Sequence, residues 1–94
     1  MNALLVLLPT DPIAVAVRDI EAGEVVDLPG GGQVTAHVRV PFGFKIAIRD
    51  IAAEEKVYKY GVPIGTASAA IAAGELVHLH NLRSDYIATR RERT

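Results

Sequence analysis

The sequence predicts an all-β domain, a compact and partly closed sheet, on three observations. Short runs such as V15-A-V-R-D-I20 and V34-T-A-H-V-R-V40 combine β-branched residues with the partial alternation of strands. Glycine and proline punctuate the chain at short intervals, as turns do. One phrase, Ile-x-Ala-(Gly or Glu)-Glu-x-Val, returns three times, beginning at Ile20, Ile51 and Ile71. Many short strands joined by such turns suit a small folded sheet better than a bundle.

Taken in order, A3-L-L-V-L-L8 reads as a buried first strand. Six apolar residues are too few for a membrane span, no basic segment precedes them, and Pro9 ends the run. Each copy of the repeated phrase reads as strand, tight turn, strand. Gly23 and Gly74 suit turns that need positive φ. Glu54 stands where a glycine is expected in the middle copy, so that turn should be strained or of another type. The copies start 31 and 20 residues apart, an irregularity that argues against a solenoid. P29-G-G-G32 is a loop, and P41-F-G43 and G61-V-P-I-G65 punctuate the middle. A helix is conceivable at the alanine-rich T66-A-S-A-A-I-A-A73, of one or two turns at most. The strand pattern stops after N81-L82, so residues 1–82 form the domain and 83–94 an extension toward something larger.

Ninety-four residues make one domain with a thin core. Half are apolar, mainly Ala, Val, Ile and Leu, and only 5% are aromatic, a composition that is globular rather than disordered. There is no cysteine, which excludes disulfides and thiolate metal sites and favours a cytoplasmic setting. Residues 1–82 hold six Lys/Arg against nine Asp/Glu, whereas residues 83–94 hold four Arg against two acids. An acidic body lacks the footprint of a nucleic-acid binder, and the R90-R-E-R93 tail reads as a solvated end. Neither nucleic acid nor membrane is an expected partner; self-association through edge strands is.

Three segments can carry chemistry. In V77-H-L-H80, strand alternation puts His78 and His80 on one face, where two imidazoles can meet a metal or an anion, or simply face water. Asn81 adds an amide at the strand's end. A catalytic metal site needs about three protein ligands, and His37 is the remaining histidine, with nothing in the sequence to place it nearby. In K56-V-Y-K-Y-G-V-P-I-G65, Tyr58 and Tyr60 share a face, either packed in the core or open to ligand. Lys59 beside the Gly61 turn can pair with a carboxylate as a point charge. In F42-G-F-K-I-A-I-R-D50, Lys45 follows a glycine turn and can project from a loop rim. The chain contains no G-x-S-x-G, phosphate loop, nucleophilic cysteine or H-E-x-x-H.

Taken together, "F-G-F-K-I-A-I-R-D-I", "Y-K-Y-G-V-P-I-G-T-A" and "I-A-A-G-E-L-V-H-L-H-N-L" resemble the N-terminal SAF domain of the altronate/galactarate dehydratase family, including its stand-alone small subunits. The opening D11-P-I-A-V-A-V17 is similar to that family's start, and the resemblance runs from about residue 9 to residue 82. It implies a β-clip, a small folded-over sheet with long hairpins. It also implies a lyase that removes water from a sugar acid, or sulfite from sulfolactate, with most of the machinery in a large partner chain or domain.

The resemblance associates a divalent metal, iron or manganese, with the complete enzyme, and none is expected to be held by this chain alone. It assigns His78, His80 and Lys45 to catalysis, and Lys59, Tyr60, Gly61 and Asn81 to binding a small acidic substrate. The chain departs from the pattern at Phe44, where many members have histidine. That departure leaves a second expectation open, a non-catalytic module for ligand binding or assembly.

Overall fold

A computed structural model of the chain, which describes residues 3–6, 8 and 10–84, is built of short strands and turns. Among the described residues there are nine strands and no helix: β1 (Leu4–Leu5), β2 (Ile13–Ala16), β3 (Val25–Asp27), β4 (Gln33–Thr35), β5 (Lys45–Ala47), β6 (Lys56–Lys59), β7 (Val62–Ala67), β8 (Leu76–Val77) and β9 (Leu82–Arg83). Every pairing between them is antiparallel. They form a four-stranded sheet in the order β1-β2-β5-β8, the pair β3-β4, and a three-stranded sheet in the order β6-β7-β9. No helix among the described residues is long and apolar enough to cross a membrane.

The repeated phrase turns out to have four copies. Ile20 and Val40 bridge through two N–H···O bonds of 2.9 and 2.8 Å, and Ile51 and Ile71 repeat that bridge at 2.7 and 2.8 Å. Each bridging residue opens a turn, and the third residue after it has positive φ: Gly23 (84°), Gly43 (87°), Glu54 (68°) and Gly74 (96°). The second pair of turns therefore repeats the first after 31 residues, the shift that carries Ile20 onto Ile51 and Val40 onto Ile71 in sequence. Hydrogen bonds follow the same shift. Gly23 N donates to Ala36 O at 2.7 Å as Glu54 N donates to Ala67 O at 2.8 Å, and Gly43 N to Ala16 O as Gly74 N to Ala47 O, both at 2.8 Å. The irregular spacing of three copies concealed an internal duplication.

The chemistry of the phrase follows. The carboxylates of Glu24, Glu55 and Glu75 each accept the backbone N–H three residues earlier, from Glu21, Ala52 and Ala72, at 3.0, 2.9 and 2.7 Å. Such a side chain satisfies a turn N–H that no strand can reach. Arg18 and Arg49 then hold Glu24 and Glu55 at 2.5 and 2.7 Å. Asp19 and Asp50 tie each pair of turns together by accepting the N–H of Phe42 and Ala73. In the fourth copy Phe44 occupies the glutamate's place, and its ring packs on the core instead.

Two apolar clusters fill the interior, and they are copies as well. One includes Ala16, Ile20, Val26, Ala36, Val40 and Ile46; the other includes Ala47, Ile51, Val57, Ala67, Ile71 and Val77. The four-stranded sheet divides them. Adjacent residues of a strand point to opposite faces, so Ala14 enters the first cluster and Ile13 the second, as Ile46 and Ala47 do from β5. Burial on both faces explains why Ile13–Ala16 is a continuous apolar run rather than an alternating one.

The alanine-rich segment, allowed two helical turns at most, takes none: Thr66 and Ala67 pair with β9, and Ile71 is committed to its bridge with Ile51. Ladder bonds outweigh the few tenths of a kcal/mol per residue that alanine offers a helix. The expected strand bounds are corrected. The strand expected through His80 ends at Val77, and His78–Asn81 make a turn closed by Asn81 N and Leu82 N on His78 O, at 3.1 and 2.9 Å. The strands expected over 15–20 and 34–40 are shorter, Ile13–Ala16 and Gln33–Thr35. β9 spans Leu82–Arg83, and residues 85–94 of the expected extension lie outside the described residues.

Glu54 takes the left-handed conformation of the glycines it replaces, at a cost of about 1–2 kcal/mol. Its exposed 3.0 Å pair with Arg83 offsets only part of this. Glu54→Gly is expected to raise stability by about 0.5–1 kcal/mol in urea denaturation. Arg18 and the Glu21 N–H hold the Glu24 carboxyl below its ordinary value, and Arg49 and the Ala52 N–H do the same for Glu55. Both groups then bind protons more weakly folded than unfolded. The stability they add is present above the ordinary carboxylate range and drains as the pH falls through their lowered values. A Glu24→Gln/Glu55→Gln variant should therefore lose less of its Tm than the parent chain between about pH 5 and pH 3.

Candidate functional site

A cavity of about 350 Å3 opens at the junction of the four-stranded and three-stranded sheets. Its apolar wall is Ile64, Val77, Leu79 and Leu82, and its polar groups are Lys45, Lys59, His78 and Ser84. Each is delivered by a distinct element. Lys45 begins β5 opposite Val77 of β8. Lys59 ends β6, and His78 starts the turn after β8. The β6–β7 register shifts between Val57 and Tyr58, so that Ile64 has no partner across the ladder. A bulge of this kind re-aims a side chain, and Ile64 lines the cavity. Close packing keeps β9 against β7 here: a Cβ on Gly65 would lie 2.5 Å from the carbonyl oxygen of Arg83.

Charge distinguishes the cavity from the rest of the surface. The four arginines of the described residues all have acidic partners: Arg18 with Glu24, Arg39 with Asp19 and Glu21, Arg49 with Glu55, Arg83 with Glu54. Lys56 is also engaged. Lys45 and Lys59 are the cationic side chains with no carboxylate partner among the described residues, and both line the same cavity, half-buried. Two ammonium groups beside apolar walls attract an anion, and more strongly than in open water. The imidazole of His78 lies against Phe44, with ring centroids 5.0 Å apart and planes inclined by 50°. Phe44 thus connects the first apolar cluster to the cavity's one imidazole.

The other candidates are placed differently. His80 is exposed on the turn and does not line the cavity. Tyr60 and Gly61 are the two central residues of the β6–β7 hairpin, with φ of 56° and 73°, the pattern of a type I′ turn. Their N–H groups donate to the carboxylate of Asp11 at 2.6 and 3.1 Å, while the Tyr60 ring is 63% exposed. Tyr58 is exposed as well, so neither tyrosine packs the core. Asn81 is buried, with its Oδ1 accepting from His78 N at 3.0 Å and its Nδ2 donating to Leu76 O at 2.8 Å. His37 sits beside Gly74, bonded through its backbone N–H to Gly74 O, and takes no part in the cavity.

The sequence singles out Asp11 only as the first residue of a stretch similar to the family's start. Its signal is weak, since the residues it binds lie 49 and 50 positions away. Among the described residues no group of three or more His, Asp or Glu side chains converges to hold a metal ion. The cavity's donor set does not suit one either, because two ammonium groups repel a cation.

Comparison with known proteins bears on the domain to which these residues belong. The model of the altronate/galactarate dehydratase SAF domain matches residues 2–85. The altronate dehydratase of Escherichia coli (strain K12) is 45% identical over 75 residues, covering 80% of this chain and 15% of that protein. The altronate dehydratase of Bacillus subtilis (strain 168) is 34% identical over 87 residues, 90% of this chain and 17% of the relative. The (2R)-sulfolactate sulfo-lyase subunit alpha of Chromohalobacter salexigens is 40% identical over 75 residues, 74% of this chain and 80% of the subunit. The chain thus spans about a sixth of the two dehydratases but most of a small lyase subunit. A match over nearly its whole length makes the chain a member of the altronate/galactarate dehydratase SAF-domain family.

Proposed function

We propose that this chain is the small component of a lyase that eliminates water, or sulfite, from a hydroxylated acid such as altronate, galactarate or sulfolactate, and that its cavity holds the acid's carboxylate. One observation carries the reading: two lysines with no acidic partner among the described residues line, beside an imidazole, a single cavity of the family's domain. Elimination beside a carboxylate requires a base for the α-proton, an acid for the leaving group, and positive charge near the developing enediolate. Lys45 and Lys59 supply the charge by gripping the carboxylate. His78, at the same cavity, moves a proton.

The remaining acid–base chemistry belongs to a large partner chain or domain. The relatives support this division, since two are long dehydratases that this chain matches over a small share and one is a subunit. A divalent metal, iron or manganese, would be held by that partner rather than by the lysine cavity. His80 on the outer side of the turn is left to face the partner. The cytoplasmic setting belongs to the same reading, supported by a chain without cysteine.

Phe44 favours a second reading, a binding or assembly module without a catalytic part, because its ring packs on His78 where another polar group would serve catalysis. Steady-state kinetics of the complex with its large partner separate the two. Under the lyase reading, Lys59→Ala raises KM about tenfold or more, the loss of a charged grip, and His78→Ala lowers kcat by about 100-fold. Unchanged kcat in His78→Ala with intact complex formation would establish the module instead.

A further inference from the structure

We infer that Asp11 and Asn81 are positioning residues, each fixing the segment that presents one side chain to the cavity. The inference rests on the reading of Lys59 and His78 just given. Asp11 is 4% exposed, and its carboxylate accepts two backbone N–H groups from the β6–β7 turn, Tyr60 at 2.6 Å and Gly61 at 3.1 Å. Tyrosine rarely adopts positive φ, so this turn needs an outside tether. The residue entering the turn is Lys59. A buried carboxylate nearly fifty residues upstream therefore sets where the ammonium-bearing strand ends.

Asn81 does the same for the imidazole. It is 6% exposed, and its amide spans the turn, accepting from His78 N at 3.0 Å and donating to Leu76 O at 2.8 Å. Both ends of the amide are thus engaged within the chain. Its role is to lock the backbone that carries His78 against Phe44, rather than to touch substrate. The two tethers act on different side chains, so their loss should have different kinetic signatures. That divergence separates positioning from general support of the fold.

The test is steady-state kinetics of the complete complex carrying Asp11→Ala, Asp11→Asn, Asn81→Ala or Asn81→Asp, with Lys59→Ala and His78→Ala as references. Asp11→Ala is expected to raise KM about tenfold with kcat nearly unchanged, and Asp11→Asn, which keeps one acceptor oxygen, to fall between it and the parent. Asn81→Ala should lower kcat about tenfold with KM nearly unchanged, and Asn81→Asp, which keeps the acceptor for His78 N–H, should restore part of it. Thermal melts identify any variant that does not fold; the conservative partner then carries the test. Equal losses in kcat and KM from both sites, or losses that simply track stability, overturn the inference. If Lys59→Ala and His78→Ala are themselves without effect, the reading beneath it has failed. If those references behave as expected and the tether variants do not, this inference alone is wrong.

Discussion

The β2–β5 ladder is a wall shared by both apolar clusters, and it holds the two halves of the molecule together. Ile13↔Ala47, Ala14↔Ile46 and Val15↔Lys45 pair across it, and apolar side chains leave it on both faces. Neither cluster could close without this shared wall, because a chain of this size has little apolar surface to spare. Each half supplies its own pair of turns, its own bridge and its own buried Ile, Val and Ala at positions 31 apart. The wall joins the halves, and its last register pair on the β8 side, Lys45↔Val77, is where the cavity begins.

The candidate site arises where the duplication is broken. Shifting by 31 residues maps Lys59 onto Leu28 and Lys45 forward onto Leu76, while His78 follows directly on Val77, where the second copy ends. Positions that are apolar in one half thus carry charge in the other, and both lysines line one cavity with the imidazole at a junction between sheets. The bulge at Ile64 belongs to the same divergence. The corresponding hairpin, β3–β4, keeps a regular register through Val25↔Thr35, Val26↔Val34 and Asp27↔Gln33. A symmetric scaffold therefore presents an asymmetric cavity, and the exposed Leu79 and Tyr60 near it leave apolar surface for something else to cover.

Much of this was legible in the residues, and the failures have physical causes. Local signals gave the all-β class, because β-branched runs and left-handed turn positions act over a few residues. Lys45, Lys59 and His78 were legible as candidates, although only tertiary structure brings them into one cavity. The turn at P41-F-G43 was legible as a turn but not as a copy of the phrase, because Val40-Pro-Phe-Gly-Phe-Lys-Ile46 keeps the buried ends and the glycine but lacks the glutamate. Without it, 31 and 20 looked irregular. The alternation V77-H-L-H80 imitates a strand, yet the Asn81 amide turns the chain there, a local bond that hydrophobic pattern does not report. Asp11 was the least legible, since a carboxylate that serves two distant N–H groups leaves no periodic trace.

Whether the Lys45–Lys59–His78 cavity takes up a hydroxy-acid anion can be read from amide-resolved NMR of the full chain titrated with galactarate. Saturable shifts centred on Lys45, Lys59 and His78 are expected. They should weaken with added salt, as charge-driven binding does, and vanish in a Lys45→Ala/Lys59→Ala variant. Shifts that gather elsewhere on the chain, survive loss of both lysines, or do not arise at all would contradict such uptake.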